Sequence, residues 1–77
     1  MKIHLEYTAV LQLEGVRNGD DVEVPDGCTI ADLLTQLHVQ PMHQKYVVPF
    51  VNGKQQRLPY RLSNGDKVVF SLPVGGG

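Results

Sequence analysis

Apolar and polar residues alternate from the second position. In KIHLEY, Ile3, Leu5 and Tyr7 fall on one face of an extended chain and Lys2, His4 and Glu6 on the other. A period of two over six residues reads as a half-buried strand. The next stretch, TAVLQLEG, fits two patterns. Positions 9, 11 and 13 extend the strand, whereas Val10 and Leu13, with Gly15 as a stop, suit a helical turn. Asn18 with Gly19 then marks a turn, Val22 and Val24 form the inward face of a short strand, and Pro25 to Gly27 makes a second turn.

One helix is clear. In TIADLLTQLHVQP, Ile30, Leu33, Leu34 and Leu37 recur at i, i+3, i+4 and i+7 and make a single apolar stripe. Thr29 is a suitable N-cap, Asp32 stands where a capping-box acid belongs, and Pro41 is read as the stop. YVVPFVNGK is a strand leading into a hairpin turn at Asn52 and Gly53, and Pro49 within it argues for an edge or a bulge. QQRLPYRL gives a short strand and turn. In SNGDKVVFSLP a turn precedes a final strand with Val68, Phe70 and Leu72 on one face and Val69 and Ser71 on the other. Alternation alone does not say which of these faces is the core.

One helix with one stripe covers one face of one sheet. The pattern therefore predicts a two-layer α+β domain, a mixed sheet of about five strands packed on one main helix. Residues 1–72 form the domain and residues 73–77 a flexible C-terminal tail; there are no internal repeats or linkers.

Composition narrows the class. The chain has 77 residues, 42% apolar and 19% charged, which is one small globular domain and not a disordered segment. No apolar run nears the roughly 20 residues of a membrane span, and the alternating N-terminus is unlike a signal peptide, so a cytoplasmic protein is expected. One cysteine excludes an internal disulfide framework. The net charge of −1 conceals an asymmetry. Residues 1–44 carry two cations against seven acids, and residues 45–77 carry five cations against one acid. The basic half leads into the C-terminus and favours an acidic docking surface on a partner.

Other chemistry is weakly supported. His4 lies on a polar strand face, and His38 and His43 flank Pro41, so no metal-ligand spacing emerges. Cys28 precedes the helix, where a dipole could lower a thiol's pKa, but no base is placed to serve it and a small turn residue is the simpler reading. Asp20, Asp21 and Glu23 read as a solvated turn. Lys54, Arg57 and Arg61 with Tyr60 lack the aromatic series and the basic balance of a nucleic-acid surface.

The chain closes on LSNGDKVVFSLPVGGG. Leu62, Gly65, Asp66, Val68, Phe70, Pro73, Val74, Gly76 and Gly77 stand at the marked positions of a known closing pattern: Leu, two variable residues, Gly-Asp, an apolar strand, Pro-Val, a small residue and Gly-Gly. Together with FVNGK and YTAVLQLEG, this resembles the MoaD/ThiS group of ubiquitin-like β-grasp sulfur carriers, most closely the small subunits of molybdopterin synthases. Gly75 takes the small-residue slot, and Leu11 departs from a usually polar one. The resemblance favours the helical reading near residue 10.

The resemblance implies a carrier that is not catalytic in isolation. Gly77 is expected to be adenylated by an E1-like activating enzyme, which uses ATP and magnesium, and converted to a thiocarboxylate with sulfur from a donor protein. The carrier itself binds no cofactor and no metal. Pro73, Val74, Gly75, Gly76 and Gly77 are expected to enter the active sites of partners: the activating enzyme and a molybdopterin synthase large subunit, or a thiazole synthase. Five extended residues reach roughly 17 Å at about 3.3–3.6 Å each, and glycines without Cβ let a channel close on bare backbone. Candidates for docking are Val69, Phe70 and Leu72 on whichever face is free, with Arg57, Arg61 and Lys67; neither nucleic acid nor membrane is expected as a partner. Conjugation to protein lysines is a further possibility within the class. An interaction module with an inert tail is the alternative from another class.

Overall fold

The structure, a computed structural model, describes residues 1–8, 13 and 15–72. The alternation of the first strand is realised in β1 (Lys2–Tyr7), where Ile3 and Leu5 are buried and Lys2, His4 and Glu6 lie on the opposite face. It is followed by β2 (Asp20–Glu23), α1 (Ile30–Gln36), α2 (Pro41–Gln44), β3 (Val48–Val51), β4 (Lys54–Gln55) and β5 (Lys67–Ser71). The strands form one sheet in the order β2-β1-β5-β3-β4. β1 and β5 run parallel in the middle, with Leu5 opposite Val68 and Tyr7 opposite Phe70; the other pairs are antiparallel. This is the mixed five-stranded sheet with one main helix that the pattern predicts.

α1 forms where its caps and stripe coincide. The Thr29 hydroxyl accepts a hydrogen bond from the Asp32 N–H at 3.1 Å, and the Asp32 carboxylate accepts one from the Thr29 N–H at 3.1 Å. Two N–H groups that the helix cannot pair internally are thus satisfied. Ile30, Leu33, Leu34 and Leu37 are all buried against the inner face of the sheet, which contributes Ile3, Leu5, Val22, Val51, Val68 and Phe70. The helix is shorter than its sequence pattern: Leu37 caps it and His38 turns the backbone away at φ 65°.

Two prolines behave differently from their sequence reading. Pro41 does not simply end a helix; it starts the single turn of α2, standing at the first helical position, where a missing N–H costs nothing. Gln44 of that turn is buried and donates to the Thr35 hydroxyl at 2.9 Å and the Val39 carbonyl at 3.0 Å, holding α2 against the end of α1. Pro49 lies neither on an outer edge nor in a bulge, because β3 is flanked by β5 and β4. Its carbonyl faces the β4 side and accepts from the Gln56 N–H at 3.0 Å. The next rung would need a Pro49 N–H, so the ladder stops and β4 remains two residues long.

The polar residues of two of the three Asn-Gly turns, at Asn52 and Asn64, hold the end of the sheet far from the C-terminus. Asn52 and Gly53 both have positive φ, 52° and 85°, as a tight hairpin turn requires. The Asn52 amide donates to Asp66 Oδ1 at 2.9 Å, and its carbonyl oxygen accepts from the Lys67 N–H at 3.0 Å. Asp66, buried, also accepts from the Ser63 N–H at 2.8 Å, while Asn64 accepts from the Lys2 N–H at 2.9 Å. Three chain segments are joined by these bonds. Asp66→Ala removes the buried acceptor of two part-buried bonds, from the Asn52 amide and the Ser63 N–H, whose residues are exposed and can turn to water, and is expected to cost about 1–2 kcal/mol. Urea unfolding measures this, and a loss under about 0.5 kcal/mol contradicts the assigned role.

Candidate functional site

β5 carries the chain to Ser71 and Leu72, so everything that surrounds these residues surrounds the start of the C-terminal segment. Residues 73–77, the segment expected to enter partner active sites, lie outside the described residues, as does most of YTAVLQLEG, the stretch read as a short helix. The site that can be built is the platform from which the segment departs.

The register assigns the faces that alternation left open. Val68 and Phe70 are fully buried, so the free face of β5 is the one bearing Lys67, Val69 and Ser71. Phe70 is therefore removed from the docking candidates: it packs beneath the sheet against the α1 stripe, where no partner reaches it. Leu72 is half-buried and packs against the same core. Val69 stays on the outer face. There it stands between Glu6 of β1 and Phe50 of β3, with Val48 opposite Ser71 one step nearer the C-terminus. Val48, Phe50 and Val69 are each half-buried and make a continuous apolar strip beside the point of departure. Val48 and Phe50 were not among the sequence candidates. The signal lay in VVPFV, whose two interleaved faces separate once Val51 is matched to Val68.

Farther from the C-terminus the same face is charged. His4 Nδ1 is 3.1 Å from Asp21 Oδ1, its Nε2 is 3.2 Å from Glu6 Oε2, and Lys67 Nζ is 3.6 Å from the same Glu6 oxygen. Lys67 is thus engaged in a surface network across β2, β1 and β5. The three docking cations do not converge. Lys67 is on the outer face, Arg57 lies beyond β4 beside Lys45, and Arg61 sits near Gly27 at the start of α1 and bridges Thr29 by its backbone. Among the described residues no group of three or more His, Cys, Asp or Glu side chains is placed to hold a metal ion. No helix among them is long and apolar enough to cross a membrane.

Cys28 is buried, and its thiol points to the Thr29 carbonyl at 3.3 Å. Burial pushes the thiol up from its ordinary value, and the nearby Asp32 carboxylate pushes it further. The helix start therefore does not activate it, and the residue serves the turn.

A β-grasp platform with a Gly-Gly C-terminal sequence defines a class of ubiquitin-like protein, and comparison with known proteins agrees. The ThiS family model matches residues 8–77, and the chain belongs to the ThiS family of MoaD/ThiS-type sulfur carriers. Among solved structures, it is similar to SAMP1 of Haloferax volcanii, with 20% identity, all of both chains covered and a TM-score of 0.73. It is similar to a Pyrococcus furiosus protein assigned as molybdopterin converting factor subunit 1, with 27% identity, 95% of this chain and 98% of that one covered, and a TM-score of 0.71. It also resembles a chain from the complex of subunits 1 and 2 of the molybdopterin-converting factor of Helicobacter pylori 26695, with 15% identity, full coverage of both and a TM-score of 0.63. No curated protein matches the sequence.

Two substitutions on adjacent residues separate core from surface. Phe70→Ala is expected to destabilise the fold by about 3–5 kcal/mol, whereas Val69→Lys, placed opposite Glu6, changes stability by less than about 1 kcal/mol. Chemical denaturation reads both, and equal effects contradict the face assignment. Cys28 is expected to resist alkylation in the native protein and to react once unfolded. The folded state holds the thiol proton more tightly than the unfolded chain. Stability therefore falls as pH rises above the ordinary thiol value of about 8.5, and Cys28→Ala removes that part of the fall.

Proposed function

We propose that this chain is a cytoplasmic sulfur carrier for molybdopterin synthesis, loaded at the Gly77 carboxylate and not itself catalytic. The observation that carries the reading is the family match through residue 77, over the closing sequence LSNGDKVVFSLPVGGG. The molybdopterin branch is favoured by the Pyrococcus furiosus relative at 27% identity.

The chemistry follows from the carboxylate. With a pKa of about 3.3–3.7 it is ionised at neutral pH and is a poor electrophile. An activating enzyme transfers the adenylyl group of ATP to it, with magnesium on the phosphates, and pyrophosphate leaves. A sulfide-level nucleophile from a donor protein then attacks the acyl carbon. The carbon–sulfur bond forms, AMP departs with the carboxylate oxygen, and a thiocarboxylate is left at Gly77. The carrier contributes a reachable, unbranched end and a surface for docking.

The outer strip of Val48, Phe50 and Val69 is the docking surface in this account. It lies beside the departure point of residues 73–77, so a partner seated on it holds its active site within the reach of that segment. The Helicobacter pylori complex of subunits 1 and 2 supports a large synthase subunit as one such partner. The activating enzyme is the other.

Deletion of Gly76 and Gly77 tests the proposal. With the activating enzyme present, the full chain is expected to support exchange of labelled pyrophosphate into ATP, and the deletion variant to lose it, while the melting temperature moves by less than about 2 °C. Exchange that persists without the two glycines contradicts the assignment of Gly77. Unfolding of the variant contradicts the separation of fold from chemistry.

A further inference from the structure

From Lys45 to Gly65 the sequence contains four cations and no acid, and the fold gathers part of this stretch into a groove. The groove lies on the β4 side of β3, about 310 Å³ in volume. Val47, Val48, Pro49 and Leu58 supply its apolar lining, Gln55 and Gln56 two amides, and Lys45 and Arg57 its charge. It exists because Pro49 ends the β4 ladder. Beyond Gln56, whose N–H still bonds the Pro49 carbonyl, the chain parts from β3 and leaves the space open.

Among the described residues neither Lys45 nor Arg57 has a carboxylate partner; the Lys45 ammonium rests over the Tyr46 ring, 5.3 Å from its centroid. Both residues are exposed, in contrast to Lys67, which is already paired with Glu6. Desolvating a cation that has no partner is unfavourable, so an occupant that covers them must bring negative charge. The apolar lining asks for aliphatic side chains as well. Val48 belongs both to this groove and to the outer strip, and it stands opposite Ser71 at the root of the C-terminal segment. An occupant of the groove therefore continues the surface on which a partner would sit.

We propose that this groove binds an extended, acidic polypeptide segment of a partner protein, with aliphatic side chains on the apolar lining and carboxylates on Lys45 and Arg57. A polypeptide is favoured over a nucleic acid because half of the lining, Val47, Val48, Pro49 and Leu58, is apolar and no aromatic ring lines the groove for a base to stack on. The proposal rests on the carrier reading only for the partner being one that receives the C-terminal segment.

The experiment uses the full chain and amide-resolved NMR titration with a short synthetic peptide of alternating glutamate and valine. Its lysine–valine counterpart and a single-stranded oligonucleotide serve as comparisons. Binding of the acidic peptide is expected to shift the amides of Val48, Gln55, Gln56 and Leu58 and to weaken by about tenfold between ionic strengths of about 0.02 M and 0.5 M. The K45E/R57E variant, altered only at exposed positions, is expected to keep its fold and lose the shifts. Shifts confined to Val69, Phe50 and their neighbours, equal binding of both peptides, no shifts at millimolar peptide, or tighter binding of the oligonucleotide in the groove each overturn the proposal. Pyrophosphate exchange by the full chain is read separately. A groove that stays empty while exchange proceeds refutes only the groove, and a bound peptide with no exchange refutes only the carrier reading.

Discussion

The parallel pairing of β1 with β5 is the constraint on which the rest of the structure depends. It joins the first and last strands of the chain, with Leu5 facing Val68 and Tyr7 facing Phe70. Parallel neighbours need a crossover, and α1 lies within it, so the helix is brought onto one face of the sheet. That face becomes the core, and its opposite is left to solvent. The same pairing directs β5 toward the edge at which Ser71 and Leu72 hand the chain to its last residues. Core, proposed docking face and point of departure are three consequences of one strand pair.

The division of labour along β5 follows residue by residue. Val68 and Phe70 belong to the fold, Val69 and Ser71 to the outer face, and the residues after Leu72 to the proposed chemistry. The polar lock of Asn52 and Asp66 fixes the opposite end of the same strand, so β5 is held at its start by hydrogen bonds and along its length by burial. A rigid strand leading into a glycine-rich segment suits a carrier. On the proposed reading the domain docks as a body, and the sequence beyond it has only to reach the partner's site.

Much of this was legible in the sequence because it rests on local periodicity. The alternation of KIHLEY, the stripe of Ile30, Leu33, Leu34 and Leu37, the Thr29 and Asp32 box and the turn at Asn52 and Gly53 each depend on neighbours within a few residues. What sequence reading missed depends on distant ones. Phe70 cannot be told from Val69 as core or surface until β5 is matched to β1 and β3. Pro49 looked like an edge residue because its missing donor matters only relative to β4, and Pro41 can end one helix or begin another. The cations at Arg57, Arg61 and Lys67 are close in sequence, but strand and loop geometry sends them to three different places. The acidic and basic halves of the chain, by contrast, were visible in sequence, and the fold sets Asp20, Asp21 and Glu23 at one edge of the sheet and Lys54 with Arg57 toward the other.

The central claim is that Gly77 carries sulfur, and the intact mass of the chain tests it most directly. The protein is to be expressed with and without its native activating enzyme, then weighed and fragmented. The account predicts that the enzyme replaces one oxygen by one sulfur, with the change located by fragmentation to Gly77. An unmodified C-terminus in both samples, with the activating enzyme, ATP and a sulfur source all present, would contradict it and leave an interaction module in its place.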